Sequence, residues 1–181
     1  MRKVVSYLLL SLDGVAESPD RYVFDFDDAM YANLAAVIDA QDTVLLGRLM
    51  YDEWSLYWPE ADDEPFASFI NGVEKFVATS RPLTSAWSNA SRIEGDLFEF
   101  VRDLKQKPGK AIGVHGSVEL ARSLFEAGLV DELRLVIAPV VAGSGRRFFA
   151  SETELRRLEL VEVTGAPTGA LMVGYRVHTS G

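Results

Sequence analysis

Cysteine is absent from the 181 residues, and histidine occurs only at His115 and His178. Disulfides and thiolate metal sites are therefore excluded, and a histidine-built zinc centre lacks ligands, so no metal is expected. Long apolar runs are missing too. The start, MRKVVSYLLLSLDG, joins basic residues to a short apolar run, but Asp13-Gly14 stands where a secretory signal would carry small residues before its cleavage point. Nothing approaches the roughly 20 apolar residues of a membrane span, and a soluble, cytoplasmic protein is expected. Positive charge is scarce: 18 Lys and Arg face 27 Asp and Glu, a net −9. That balance disfavours nucleic acid and anionic membrane as partners, since both are bound through positive surfaces. A small anionic cofactor stays compatible, because a helix N-terminus and a few local donors hold phosphate against an unfavourable net charge.

What is present suits a packed core. At this length and 48% hydrophobic content the chain is expected to form one domain over residues 1–181, with no linker, repeat or low-complexity segment. Strand-like runs fall at Lys3-Leu10, Thr43-Leu46, Lys75-Thr79, Ala111-His115, Glu132-Ala138, Leu158-Thr164 and Ala170-His178, with a weaker one at Ala90-Ile93. Several are continuously apolar, as in VVSYLLL, TVLL and LRLVIA, which suits strands covered on both faces by helices. Helical spacing links Met30, Leu34, Val37 and Ile38, and again Leu97, Val101 and Leu104 before Pro108-Gly109. A third helix is expected from Ser117, as N-cap, to Ala127, with Glu119 in its first turn and Gly128 as terminator. Only Gly165-Ala166-Pro167-Thr168-Gly169 separates the last two strand runs, too short for a parallel crossover, so they form an antiparallel hairpin. The acidic, aromatic stretch Trp54-Glu64 reads as a surface loop.

Three strand ends carry groups compatible with an anion. Ala111-Ile112-Gly113-Val114-His115-Gly116-Ser117 runs from an apolar strand through a glycine turn to a helix start. Unpaired N–H groups there would receive a pyrophosphate at Gly116, Ser117 and Val118; a glycine that merely makes the turn is the plainer alternative. Val44-Leu45-Leu46-Gly47-Arg48 puts a fixed cation at a strand's carboxyl edge, where it meets either a phosphate or a loop carboxylate. Thr79-Ser80-Arg81-Pro82 supplies hydroxyls and an arginine of the kind that selects the extra phosphate of NADPH, or else caps a loop. The first strand lacks the G-x-G-x-x-G turn of an ordinary Rossmann dehydrogenase.

Together SLDGV (Ser11-Val15), VLLGR (Val44-Arg48), ATSRPL (Ala78-Leu83), GVHGSVELARSLFEAGLVDEL (Gly113-Leu133) and APVVAGSGRRFF (Ala138-Phe149) resemble the dihydrofolate-reductase-like family that includes the riboflavin-pathway reductase domain. The resemblance implies a three-layer α/β fold: a mixed, mostly parallel sheet of about eight strands with helices on both faces and a C-terminal antiparallel hairpin. It also implies an NADPH site. There Leu9-Leu10 and Val15-Ala16 would border the nicotinamide, Gly47-Arg48 and Ser80-Arg81 would approach the phosphates, and Gly113-Val114-His115-Gly116-Ser117 would take the nicotinamide-pyrophosphate side. Two departures stand out: His115 where relatives more often have a second glycine, and Leu49-Met50 where a threonine is common. Reduction of a C=N bond needs a proton as well as a hydride, for which a carboxyl of raised pKa is suited. The family's acid lies on the first helix, which makes Asp27, among Asp25, Asp27 and Asp28, one candidate for the proton donor, and Asp13 at the first strand's end another. Dipole-favoured helix acids and an Asp-Gly turn are the structural alternatives.

The expected activity is NADPH-dependent reduction of a small pterin- or pyrimidine-like heterocycle. The alternative is a non-catalytic dinucleotide-binding or interaction protein that retains the fold. Tyr22, Phe24, Phe26, Tyr51, Trp54, Tyr57 and Trp58 line a pocket for a flat ring or pack core and dimer contacts. Gly143-Ser144-Gly145-Arg146-Arg147 is an anion-contacting loop or a solvated turn. A homodimer is expected from the habit of relatives and from apolar strand surface at Leu133, Leu135, Val161, Val163, Met172 and Val173.

Overall fold

The structure, a computed structural model, describes residues 1–149 and 154–178. Among the described residues, eight strands and five α-helices follow in the order β1 (Val4–Ser11), α1 (Asp28–Asp39), β2 (Gln41–Gly47), α2 (Arg48–Tyr57), α3 (Phe66–Gly72), β3 (Glu74–Ala78), β4 (Ala90–Arg92), α4 (Leu97–Gln106), β5 (Ala111–His115), α5 (Val118–Glu126), β6 (Glu132–Ala138), β7 (Leu158–Gly165) and β8 (Leu171–Val177). They form one sheet in the order β4-β3-β2-β5-β1-β6-β8-β7. The strands from β4 to β6 are parallel, and β8 pairs antiparallel with both β6 and β7. Every strand run read from the sequence is therefore a strand, and the mixed, mostly parallel sheet with its closing hairpin is the observed architecture.

Alternation along β1 divides the core into two layers. Val4, Leu8 and Leu10 join the cluster with α4 and α5, through Val101, Leu104, Ala121 and Leu124. Val5 and Tyr7 face the other way, onto Met30, Leu34 and Ile38 of α1 and Ile70 of α3. Burial on both faces is the reason these parallel strands are continuously apolar. Asp27 caps α1 by accepting from Met30 N–H, and Asp96 caps α4 by accepting from Phe98 and Glu99 N–H. Among the described residues, no helix is long and apolar enough to cross a membrane.

Two expectations are corrected. Trp54 is helical and no loop: α2 extends from Arg48 to Tyr57 and a 3-10 turn follows at Trp58–Glu60. The strand surface proposed for a dimer is largely internal, since Leu133, Leu135, Met172 and Val173 are buried, whereas Val161 and Val163 of the edge strand β7 are exposed. Leu160 and Leu171 are exposed beside them.

Candidate active site

The topology creates a crevice where β5 sits between β1 and β2. The chain leaves β1 for α1 on one face and leaves β5 for α5 on the other, so the strand ends part, and ligands of open α/β sheets lie in such openings. A cavity of about 750 Å³ occupies it, within the roughly 300–1,000 Å³ usual for small-molecule sites. Its walls come from Tyr7 to Leu9 of β1, the Ala16–Asp20 loop, the start of α2 and the β5–α5 turn.

Two of those walls are helix starts. β2 runs through Gly47 directly into α2, and β5 runs through His115, Gly116 and Ser117 into α5. Neither helix has a side-chain cap. Ser117 occupies the N-cap position, but its Oγ accepts from Gly47 N–H at 3.0 Å, so the hydroxyl clamps one helix start to the other and caps neither. Gly116 has φ +64, a conformation that favours glycine, and a Cβ there would lie 2.8 Å from Trp54 Cζ2 and 3.2 Å from the Met50 thioether. Its small size serves the chain's own packing of α2.

His115 turns back into the protein. Its ring is buried beside Tyr7, Phe66 and Phe69, and Nε2 is 2.7 Å from Gln41 Oε1. Burial pushes its pKa down to about 3, which keeps the imidazole neutral. The glycine two positions before it makes room: a Cβ on Gly113 would overlap Gln41 Oε1.

The two proposed proton donors are structural anchors. Asp13 accepts from Ser11 Oγ at 2.7 Å, from Ala142 and Gly143 N–H at 2.9 and 3.0 Å, and from Arg147 at 3.1 Å. The Ser11 hydroxyl and the Ala142 amide hold its carboxyl well below the usual range. Asp27 accepts from Met30 N–H at 3.0 Å and Thr168 N–H at 3.1 Å, and the Met30 amide lowers its pKa. Neither is among the residues lining the cavity. Both are held ionised, the opposite of what a general acid requires, so the catalytic assignment of Asp13 and Asp27 gives way to a role in fixing loops.

Of the residues expected at a cofactor, Ala16, Gly47, Arg48, His115, Gly116, Ser117 and Val118 line the cavity. Leu10, Val15 and Val114 are buried behind the wall, and Ser80 and Arg81 are exposed outside it. Arg48 joins the two places: its Nε lies 2.7 and 2.8 Å from the Asp52 oxygens, and Nη1 donates to Pro82 O at 2.9 Å. The aromatic set divides. Phe26, Trp54 and Trp58 line the cavity, whereas Tyr22 and Tyr51 are core residues that donate to Leu9 O and Ser85 O, and Phe24 and Tyr57 are exposed.

Sequence reasoning did not place Tyr7, Phe66, Glu17 or Arg146 at the site, yet all four line it. Arg146, within the glycine-rich loop left undecided above, donates from Nε to Glu17 at 2.9 Å and lies 3.9 Å from Glu119. Its place in APVVAGSGRRFF was the available signal; Tyr7 and Phe66 carried none that separates them from ordinary core.

Residues 2–172 match the model of the RibD C-terminal domain family. YyaP of Bacillus subtilis (strain 168), an uncharacterized protein, is 29% identical over 96% of this chain and 94% of its own. A solved protein of Shewanella sp. PV-4 named for riboflavin biosynthesis superposes with a TM-score of 0.76 at 14% identity, covering 98% of this chain and 99% of its own. A Thermotoga maritima diaminohydroxyphosphoribosylaminopyrimidine deaminase/5-amino-6-(5-phosphoribosylamino)uracil reductase gives 0.68 at 12% identity, with 98% of this chain matching 57% of that longer one. With its dihydrofolate-reductase-like sheet and a match over nearly its whole length, the chain belongs to the RibD C-terminal domain family.

Proposed function

We propose that this protein is an NADPH-dependent reductase of a small heterocyclic compound. The observation that carries the reading is the pair of uncapped helix starts, at Gly47-Arg48 and Ser117-Val118, brought together on one cavity wall by the Ser117 clamp. The Ser117 and Val118 amides donate to His115 O and Gly116 O, and the Gly47 amide to Ser117 Oγ, so it is the positive ends of the two helices, left without side-chain caps, that suit a pyrophosphate. Glu119 in the first turn of α5 would oppose an anion, but it is paired with Arg122 and close to Arg146. A bound NADPH would supply the hydride. The chain's own contribution is to hold the phosphates at the helix starts, orient a flat ring against the aromatic wall, and exclude water from a largely apolar opening.

The exposed Ser80-Arg81 turn, tied to the site through the Arg48–Pro82 hydrogen bond, is the group assigned to the 2′-phosphate. Titration with NADPH and NADH tests this. NADPH is expected to bind more tightly, and Arg81→Ala should remove about 1.5–3 kcal/mol of that preference; equal binding of both nucleotides by the unaltered protein would overturn the assignment. The displacement of Asp13 and Asp27 from the cavity favours a second reading, a dinucleotide-binding protein without turnover. NADPH binding with no oxidation across a panel of pterins and pyrimidines would select it.

The exposed apolar residues of β7 support a homodimer, in which a second copy covers Leu160, Val161 and Val163. Light scattering at micromolar concentration should give twice the chain mass; a monomer mass rejects the pairing.

A further inference from the structure

We propose that the compound taken beside the cofactor is a flat, unphosphorylated heteroaromatic, and not a sugar phosphate. The inference rests on the reductase reading and adds a substrate class to it. Tyr7, Phe26, Trp54, Trp58 and Phe66 give the cavity an aromatic wall, and Trp54, Trp58 and Phe66 pack edge to face at 4.9–5.7 Å between ring centroids. Such a wall offers ring faces and edges to a planar ligand.

Charge decides what else that ligand carries. Five carboxylates line the cavity, Glu17, Asp20, Glu53, Asp63 and Glu119, against the arginines Arg48 and Arg146. Both arginines are already engaged, Arg48 by Asp52 and Arg146 by Glu17. The helix starts are assigned to the cofactor. A phosphate on the second ligand would therefore enter a negative surround with no uncommitted cation among the lining residues, and low-dielectric walls strengthen that repulsion.

The test uses the intact protein with a matched pair, a ribitylaminouracil and its 5′-phosphate, together with lumazine as a flat dione. Binding is read by tryptophan quenching and calorimetry, with and without NADPH. The unphosphorylated member is expected to bind about tenfold more tightly, a difference of about 1.4 kcal/mol, and added salt should narrow the gap. Glu53→Gln with Asp63→Asn should narrow it as well. Equal or tighter binding of the phosphate overturns the proposal, as does failure of both uracils and lumazine to bind at millimolar concentration. Loss of NADPH binding with the preference intact would count against the cofactor reading alone.

Discussion

At the carboxyl edge of the sheet, the end of β1 and the ends of β2 and β5 solve the same problem in opposite ways. Beyond β1 the chain enters a loop whose carboxylates consume its donors: Asp13 takes the Ala142 and Gly143 amides, and Glu17 takes the amide and guanidinium of Arg146. Beyond β2 and β5 the chain turns at once into helices without side-chain caps, and the one local hydroxyl, Ser117, is spent joining them. The lesson is that a polar residue at a strand end does not mark a site. The helix starts without a side-chain cap do, through the positive end of the main-chain dipole.

The comparison breaks most severely at Gly116. Gly116→Val combines a left-handed φ with a Cβ 2.8 Å from Trp54, and a loss of about 3 kcal/mol or more is expected in urea unfolding. Lost cofactor binding in that variant would follow from the displaced α2, so it does not test phosphate contact.

Acid sharpens the contrast next. His115 has its pKa lowered from 6.5 to about 3, so between these values the unfolded chain binds a proton that the folded chain refuses. Stability is then complete above pH 6.5 and falls as pH drops through that window, by at most about 1.4 kcal/mol per unit. His115→Asn should remove this slope. Asp13 acts lower: its folded pKa is depressed, so its contribution is present above the unfolded value of 3.8 and is lost as pH falls below it. Asp13→Asn should flatten only that more acidic limb. Denaturation midpoints from pH 7 to 2 separate the two strand ends.

Ser117→Ala should cost about 1–2 kcal/mol, the value of a hydrogen bond whose partner amide is left unpaired. Because the clamp sets the spacing of the two helix starts, NADPH affinity should fall with it, read as a smaller NADPH-induced rise in Tm. An unchanged rise would separate the clamp from the cofactor site. The smallest effect is expected at the β1 side: Asp27→Asn keeps an N-capping side chain and should leave kcat unaltered. A large fall in kcat at constant stability would return Asp27 to the chemistry.

Local pattern made most of the fold legible. Continuous apolar strands, the stripe Met30-Leu34-Val37-Ile38 and the five-residue link before β8 each report burial or chain reversal over a few residues, and each was found where expected. Helix α2 was not legible. It buries Tyr51 and Ser55 on one side and turns Met50 and Trp54 to the cavity, so its apolar and aromatic residues form no single stripe, and the acidic residues after it resembled a loop.

By itself the sequence determined the order of the strands, the helices α1, α4 and α5, the hairpin, the family and which strand ends meet the sheet's carboxyl edge. Tertiary structure alone decided how those ends are used. The contacts that matter join residues far apart along the chain, Gly47 with Ser117, Gln41 with His115, Asp13 with Ala142 and Glu17 with Arg146. A carboxylate's role depends on which donors surround it in space. Asp13 and Asp27 read as acids in the chain and became anchors in the fold because distant amides reached them first.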